Sequence, residues 1–368
     1  MELPDTLLWS WGPGESRLAL LSRGEPLELL IERPALWQGS LFLGRVTAVD
    51  KGLDGAFVDL GIGGRPGFLP GARVQGLAEG LAVTVRVRAE ARGGKGPLLA
   101  MEAAEAGGRA APALLRRSHA VERLLAAHPT ICRVLVDDAA TLAEARSLCP
   151  GVTVERGVLP LDMDEVFEAA LGPEVALPSG GRLLIETTAA LTAIDVDSGA
   201  GSAAQANAEA VAAIARQLRL RAIGGQVVVD FVSGKAKGAL HALARGLKSA
   251  VAGDPVPTHV FGVTALGLVE LTRERRRVPL AELVCRHDFG PSAETAALAA
   301  LRRLLAEVTA RPGLLPVLVA APDLTAALAR LPGAVTETER RLGRPLVVRS
   351  EPGRQLQDIT IEDGITAP

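Results

Sequence analysis

The first 34 residues carry three short apolar runs, DTLLWSW, SRLALLS and LELLIE, parted by turns at Gly12–Gly14 and Gly24–Pro26, and predict three strands. A denser series follows. SLFLGRVTAVD, GAFVDLGI, GRPGFLP and AVTVRVRAEA alternate apolar and polar positions between glycine-rich turns, which predicts a small barrel or sandwich ending near Leu99. Residues 103–128 are alanine-rich and read as helical. ICRVLVDD then predicts a strand, TLAEARSL a helix and VTVERG a strand. An acidic segment comes next, with Asp162, Asp164, Glu165, Glu168 and Glu174 and no basic residue from 160 to 175.

The stretch from 182 to 232 has the most regular pattern. RLLIETTAALTAIDVD predicts two strands. A helix over 203–221 follows, with Val211, Ile214, Ala215 and Leu218 at helical spacing, stopped by Gly224–Gly225. QVVVDF then predicts a buried strand. Strand, helix, strand is a βαβ unit, so its two strands are expected to run parallel. A helix near 236–251 and a hairpin over 258–277 complete this region. Helices near 293–309 and 323–331, with strands LPVLVAA and RPLVVRS, predict a small α+β tail after a boundary at HDFGPSA (287–293).

With 368 residues, 48% hydrophobic and 22% charged, the chain reads as globular and multidomain. No apolar run approaches the ~18 residues of a membrane span. The acidic start MELPDTLLWSWGPGES lacks the basic region of a secretory signal. Cys132, Cys149 and Cys285 share no CxxC spacing, which argues against a disulfide scaffold or four-cysteine zinc site and fits a reducing cytoplasm. The net charge of −2 means that any nucleic-acid site is a local patch.

Three carboxylates stand out. Asp195 and Asp197 share one face of a strand by its period of two, and Asp230 ends the neighbouring strand of the βαβ unit. Carboxylates converging at a sheet edge call for a cation, and oxygen-only donors favour Mg²⁺, or Mn²⁺, over zinc. The alternative is that they are helix caps or solvent-facing strand ends. Around them, residues 211–248 hold seven basic residues, among them Arg216, Arg219, Arg221 and Lys235, against Asp230 alone. Arg273, Arg275, Arg276 and Arg277 follow. Such a surface suits phosphodiester chemistry, or is a solvated helix face. In the barrel, Phe57 and Phe68 are candidate base-stacking platforms beside a groove of Arg65, Arg86, Arg88, Arg92 and Lys95; the alternative is that both rings are core. GGKGP (93–97) and SGKAKG (233–238) lack the Walker A pattern, and HExxH and GxSxG do not occur.

These residues resemble the bacterial ribonuclease E/G endonucleases. LFLGRVTAVDKGLDGAFVDLGIGGRPGFLP (41–70) looks like that family's S1 RNA-binding domain. ALTAIDVDSGAGS and NAEAVAAIARQLRLRAIGGQVVVDF (190–231) look like its metal-binding core, and FGVTALGLVELTRERRR (261–277) is similar to the segment that closes it. The resemblance implies an S1/OB-type barrel (35–102) inserted in an RNase H-like subdomain (1–34 with 129–170). A DNase I-like α/β catalytic domain (171–287) and the small α+β domain (288–368) would follow. It places Asp195 and Asp230 on magnesium-binding aspartates and Asp197 where the family usually has a metal-assisting Asn. Phe57, Phe68, Arg92 and Lys95 fall on RNA-contacting positions. It also implies departures. Residues 103–128 stand as a remnant of the 5′-end sensor without its Arg-Thr motif. The paired-cysteine zinc link is reduced to Cys285, so no zinc is expected, and the protein would be a monomer or a homodimer not linked by zinc. The activity implied is Mg²⁺-dependent cleavage of single-stranded RNA in processing or decay, without 5′-monophosphate sensing and with no membrane partner. The alternative is an RNA- or ribosome-binding module that has kept the fold and lost fast chemistry.

Overall fold

The computed structural model describes residues 3–71, 76–92, 94–103, 108–232, 238–285 and 291–364. The chain opens with an antiparallel meander of β1 (Thr6–Gly12), β2 (Glu15–Ser22) and β3 (Glu25–Glu32). The β2–β3 turn has Arg23 and Gly24 both at positive φ, 51° and 86°, the conformation that suits a two-residue hairpin. β2 is buried along nearly its whole length because both faces of the sheet are covered. Leu18 and Leu20 enter one core, Ala19 and Leu21 the other.

β4 (Leu41–Asp50), β5 (Gly55–Asp59), β6 (Gly67–Pro70), β7 (Ala82–Ala89) and β8 (Leu98–Met101) form a closed five-stranded barrel in the order β5-β6-β8-β7-β4, with β4 pairing back onto β5. This closure fits an OB-like barrel. Its interior is filled by Phe42, Val46, Val58, Leu69, Val85 and Leu99. A sixth strand, β9 (Ala113–Arg116), lies along the start of β4.

Among the described residues of 103–128, the helical expectation holds only for the end of the segment. Helix α1 (Ala120–Ala127) is helical and packs Val121 and Leu124 against the first sheet, while β9 extends the barrel. Gly108 and Pro112 interrupt the alanine run, and proline cannot continue a helix whatever its neighbours' propensity. The segment is thus divided between two neighbouring units.

The chain then returns to the first sheet. β10 (Arg133–Val136) runs parallel to β1, and after α2 (Ala139–Leu148), β11 (Thr153–Arg156) runs parallel to β10, giving the order β11-β10-β1-β2-β3. The acidic run serves the next helix, α3 (Met163–Leu171). Asp162 is its N-cap, accepting from the amides of Asp164 and Glu165, and Asp164 pairs with Arg17.

A six-stranded sheet carries the candidate site. It comprises β12 (Glu174–Ala176), β13 (Arg182–Thr187), β14 (Thr192–Asp197), then α4 (Ala203–Leu220), β15 (Gly225–Asp230), α5 (Ala239–Val251), β16 (Thr258–Val263) and β17 (Val269–Arg273). The order is β12-β13-β14-β15-β17-β16, and β14 and β15 are parallel, as the βαβ pattern predicts. Ile194, Val196, Val227 and Val229 point to one face and pack on Ile214 and Leu218 of α4 and Leu247 of α5. A short α6 (Leu280–Val284) leads to the last unit. There α7 (Ala293–Ala310), α8 (Pro322–Ala329) and α9 (Pro332–Leu342) cover a sheet of β18 (Pro316–Ala320), β19 (Val347–Ser350) and β20 (Thr360–Asp363). The sequence pattern missed α9, whose ETERR stretch is polar, and β20. The HDFGPSA boundary lies largely outside the described residues. No described helix is long and apolar enough to cross a membrane.

Two buried glutamates tie the units together. Glu15 bonds Arg17 of its own sheet, Arg33 just after β3, and Arg302 of α7. Glu28 meets His128, Arg219 of α4 and Arg277. Burial by itself would raise the Glu28 carboxyl. The His128 hydrogen bond and the Arg277 and Arg219 charges outweigh it and hold the group well below the ordinary glutamate range.

Candidate active site and nucleic-acid face

The alternation that buries Ile194, Val196 and Val229 turns Asp195 and Asp230 to the opposite face of the sheet, where both are exposed. The two are register partners on adjacent parallel strands. Their backbones are thus roughly 4.8 Å apart. Among the described residues neither carboxylate has a hydrogen-bond or ion-pair partner. Two like charges side by side repel, and a cation between them would relieve that repulsion. The donors are oxygen only and stand on an exposed face, which fits a hard divalent cation.

The expected convergence of three carboxylates is corrected here. Asp197 is engaged elsewhere: its Oδ1 accepts from the Gly199 amide at 2.9 Å and its Oδ2 lies 3.3 Å from Arg182 Nε. Among the described residues no group of three or more His, Cys, Asp or Glu side chains is arranged to hold a metal ion. The structure therefore brings together Asp195 and Asp230 and sets Asp197 beside an arginine. The turn after β14 depends on Gly199, at φ +56°, where an added Cβ would meet the Gly180 carbonyl oxygen at 2.7 Å.

The basic surface expected around the carboxylates is also corrected. Arg219 is buried against Glu28, Nε to Oε1 at 2.7 Å. Arg221 is buried and donates to Gln217 and the Gly172 carbonyl, with burial lowering its guanidinium to about 10. Arg273 is buried in a two-point pair with Asp254 at 2.7 and 3.1 Å and also reaches the Ile223 carbonyl. Arg216, more exposed, holds Glu25 and the Pro26 carbonyl of the first sheet. These four brace the fold and its neighbours, so a charge count along the chain overstated the free positive surface. Lys235 lies outside the described residues. Arg245 and Lys248 are exposed on α5.

In the barrel, Phe57 and Phe68 face each other across β5 and β6 with ring centroids 5.6 Å apart and a 58° tilt. Ala56, Val58 and Leu69 fill the interior, so the two rings stand on the outer side, half-buried and outside the core cluster. Lys95 is exposed at a turn bridged to Arg92. Arg92 itself forms a two-point pair with Glu282 of α6, which ties the barrel to the end of the candidate catalytic sheet. Gln38 makes a second tie, donating to the Arg276 carbonyl.

Gly55 makes room for Phe68. A Cβ there would lie 2.2 Å from Phe68 Cε2 and Cζ. Gly55→Ala is therefore expected to push Phe68 out of its pairing with Phe57. Overpacking of this kind costs about 1–3 kcal/mol, read as a lower midpoint in thermal denaturation.

Sequence reasoning missed Arg182. Its signal was present: drawing 182–197 as a hairpin sets Arg182 opposite Asp197, as the structure does. The partners of Arg219 and Arg273 had no such local signal.

The model of the Ribonuclease E/G family matches residues 101–276, a span that holds Asp195, Asp197 and Asp230. Over this span, just under half of the chain, the protein is similar to the ribonuclease E/G family. It is 38% identical over 132 residues to Ribonuclease G of Escherichia coli (strain K12), covering 34% of this chain and 27% of that protein. It is 33% identical over 212 residues to Ribonuclease E of Synechocystis sp., covering 53% of this chain and 31% of that protein. Ribonuclease G of Haemophilus influenzae is 37% identical over 131 residues, or 33% of this chain and 27% of its own length. The chain thus matches only about a quarter to a third of each of these relatives.

Proposed function

We propose that the protein is a metal-dependent endoribonuclease acting on single-stranded RNA. The observation that carries this reading is the pair of in-register carboxylates, Asp195 and Asp230, on the open face of the sheet, with no partner among the described residues. These two residues would hold a divalent cation, with Mg²⁺ or Mn²⁺ suited to their donors. Such a cation supplies an activated water and neutralises charge on the phosphate. The chain's own part is to hold the two carboxylates on rigid neighbouring strands and to position the RNA. On this reading the barrel is an S1-type domain, the first sheet an RNase H-like subdomain and the six-stranded sheet a DNase I-like catalytic domain.

The RNA-positioning surface would be the Phe57–Phe68 pair with Lys95 beside it. Stacking on an aromatic contributes about 1–3 kcal/mol per base. Phe57→Ala or Phe68→Ala is therefore expected to weaken binding of a short single-stranded RNA about tenfold or more, measured by fluorescence anisotropy, with little change in thermal stability. Equal binding by wild type and both variants would remove the barrel from the RNA path.

The activity itself is tested by incubating a labelled single-stranded RNA with the protein in EDTA, then restoring Mg²⁺ or Mn²⁺. Cleavage that stops with EDTA and returns with either ion is the expected result. RNA that is bound yet left intact with both ions would make the protein a binding module instead. The sequence lacks the Arg-Thr motif of the family's 5′ sensor, so 5′-triphosphate and 5′-monophosphate substrates are expected to be cut at similar rates.

A further inference from the structure

We infer that Arg182 is a positioning residue that holds the Asp197 carboxylate away from Asp195 and Asp230, so that the cation site works with two carboxylates rather than three. The inference rests on the reading of Asp195 and Asp230 as metal ligands.

Three carboxylates share the open face of β14 and β15, and nothing in the backbone separates Asp197 from the other two. Asp195 and Asp197 are two residues apart on one strand, roughly 7 Å. Left unpaired, Asp197 would add its full negative charge to the site and could turn a carboxylate oxygen toward the cation. Both of its oxygens are instead occupied, Oδ1 by the Gly199 amide and Oδ2 by Arg182. Arg182 is placed for this by register, since it stands directly opposite Asp197 in the β13–β14 ladder. Its guanidinium is steadied from the far side by Glu174 of β12, at 3.3 Å. The three side chains form a row across β12, β13 and β14 that ends at the candidate site.

This row is not a device for stability. Arg182, Glu174 and Asp197 keep 52%, 59% and 46% of their side-chain surface in water, and exposed ion pairs contribute little to folding. What the pair changes is the charge next to Asp195. Arginine on β13 and aspartate on β14 balance each other, which gives the site the charge it would have with a neutral side chain at 197.

The test reads Mn²⁺ binding by the metal-free protein, from the free-ion electron paramagnetic resonance signal, so no cleavage is needed. Arg182→Met removes the donor and the charge and is expected to tighten Mn²⁺ binding on the order of fivefold, the effect of one uncovered charge at that distance through a partly aqueous medium. Arg182→Lys keeps the charge and is expected to bind as wild type does. In Arg182→Met combined with Asp197→Asn the gain is expected to vanish. Unchanged affinity in Arg182→Met, or a gain that persists in the double variant, would overturn the inference. Asp195→Asn combined with Asp230→Asn separates this failure from that of the underlying reading. If that variant binds Mn²⁺ as wild type does, the two carboxylates are not the ligands and both conclusions fall. If it loses binding while Arg182→Met does nothing, only the role of Arg182 falls.

Discussion

Asp230→Asn is expected to slow cleavage of single-stranded RNA by roughly a hundredfold or more while leaving RNA affinity within about twofold. Even residues that only support a metal ligand typically cost about 10–100-fold when changed, so losing a ligand belongs at or beyond that limit. Stability should move the other way. Asp195 and Asp230 are side by side with no described partner, so removing one charge relieves a repulsion of about 0.2–1 kcal/mol in the metal-free protein. Thermal denaturation in EDTA should therefore show Asp230→Asn at or slightly above the wild-type midpoint. Activity lost together with stability would mean that Asp230 supports the fold instead. Asp195→Asn should behave in the same way, because the two positions are equivalent in register.

Glu28→Ala has the largest expected effect on folding. Glu28 is 3% exposed and is the acceptor for Arg219 Nε at 2.7 Å and Arg277 Nη2 at 2.7 Å, with His128 at 3.3 Å. Truncation leaves two arginines without their carboxylate, and breaking a buried pair this way costs about 3–5 kcal/mol. Arg219 Nη2 and Arg277 Nη1 are already buried without partners, so little local rearrangement is available to recover the loss. At roughly 2–4 °C per kcal/mol, the thermal midpoint should fall by about 10 °C. The pH dependence has a definite sign. The folded-state carboxyl lies below its unfolded value, so its contribution is complete above the unfolded pKa of about 4.3 and is lost as pH falls toward the folded one. The gap between wild type and Glu28→Ala should be level from about pH 5 to 8 and narrow on acidification. A gap that widens with acid would contradict the assignment.

Much of the site was legible because it depends on local periodicity. The βαβ pattern set β14 beside β15, and the period of two put Asp195 on the face opposite Ile194. The same alternation in GAFVD placed Phe57 outside the barrel between inward Ala56 and Val58. What stayed hidden depends on distant partners. Arg219 and Glu28 are 191 residues apart in sequence, so a count of charges over 211–248 could not show that this arginine is buried and paired. Arg273 meets Asp254 across the end of a hairpin for the same reason. The alanine run before Pro112 misled because helix propensity is weak against a proline and the pairing of β9 with β4. Asp197 looked like a third ligand because its spacing from Asp195 is readable, whereas the ion pair that occupies it lies on another strand.

The central claim is that water attacks an RNA phosphate at Asp195 and Asp230 with a divalent cation. The chemistry of the product ends tests it most directly. A 5′-labelled single-stranded RNA is cut by the wild-type protein in Mg²⁺, and the fragments are analysed for their termini. Attack by water leaves a 5′-phosphate on the downstream fragment and a 3′-hydroxyl on the upstream one, and these are the ends the account predicts, absent in EDTA and in Asp195→Asn. A 2′,3′-cyclic phosphate with a 5′-hydroxyl, formed equally well in EDTA, would mean that the RNA's own 2′-hydroxyl attacks, and would contradict it.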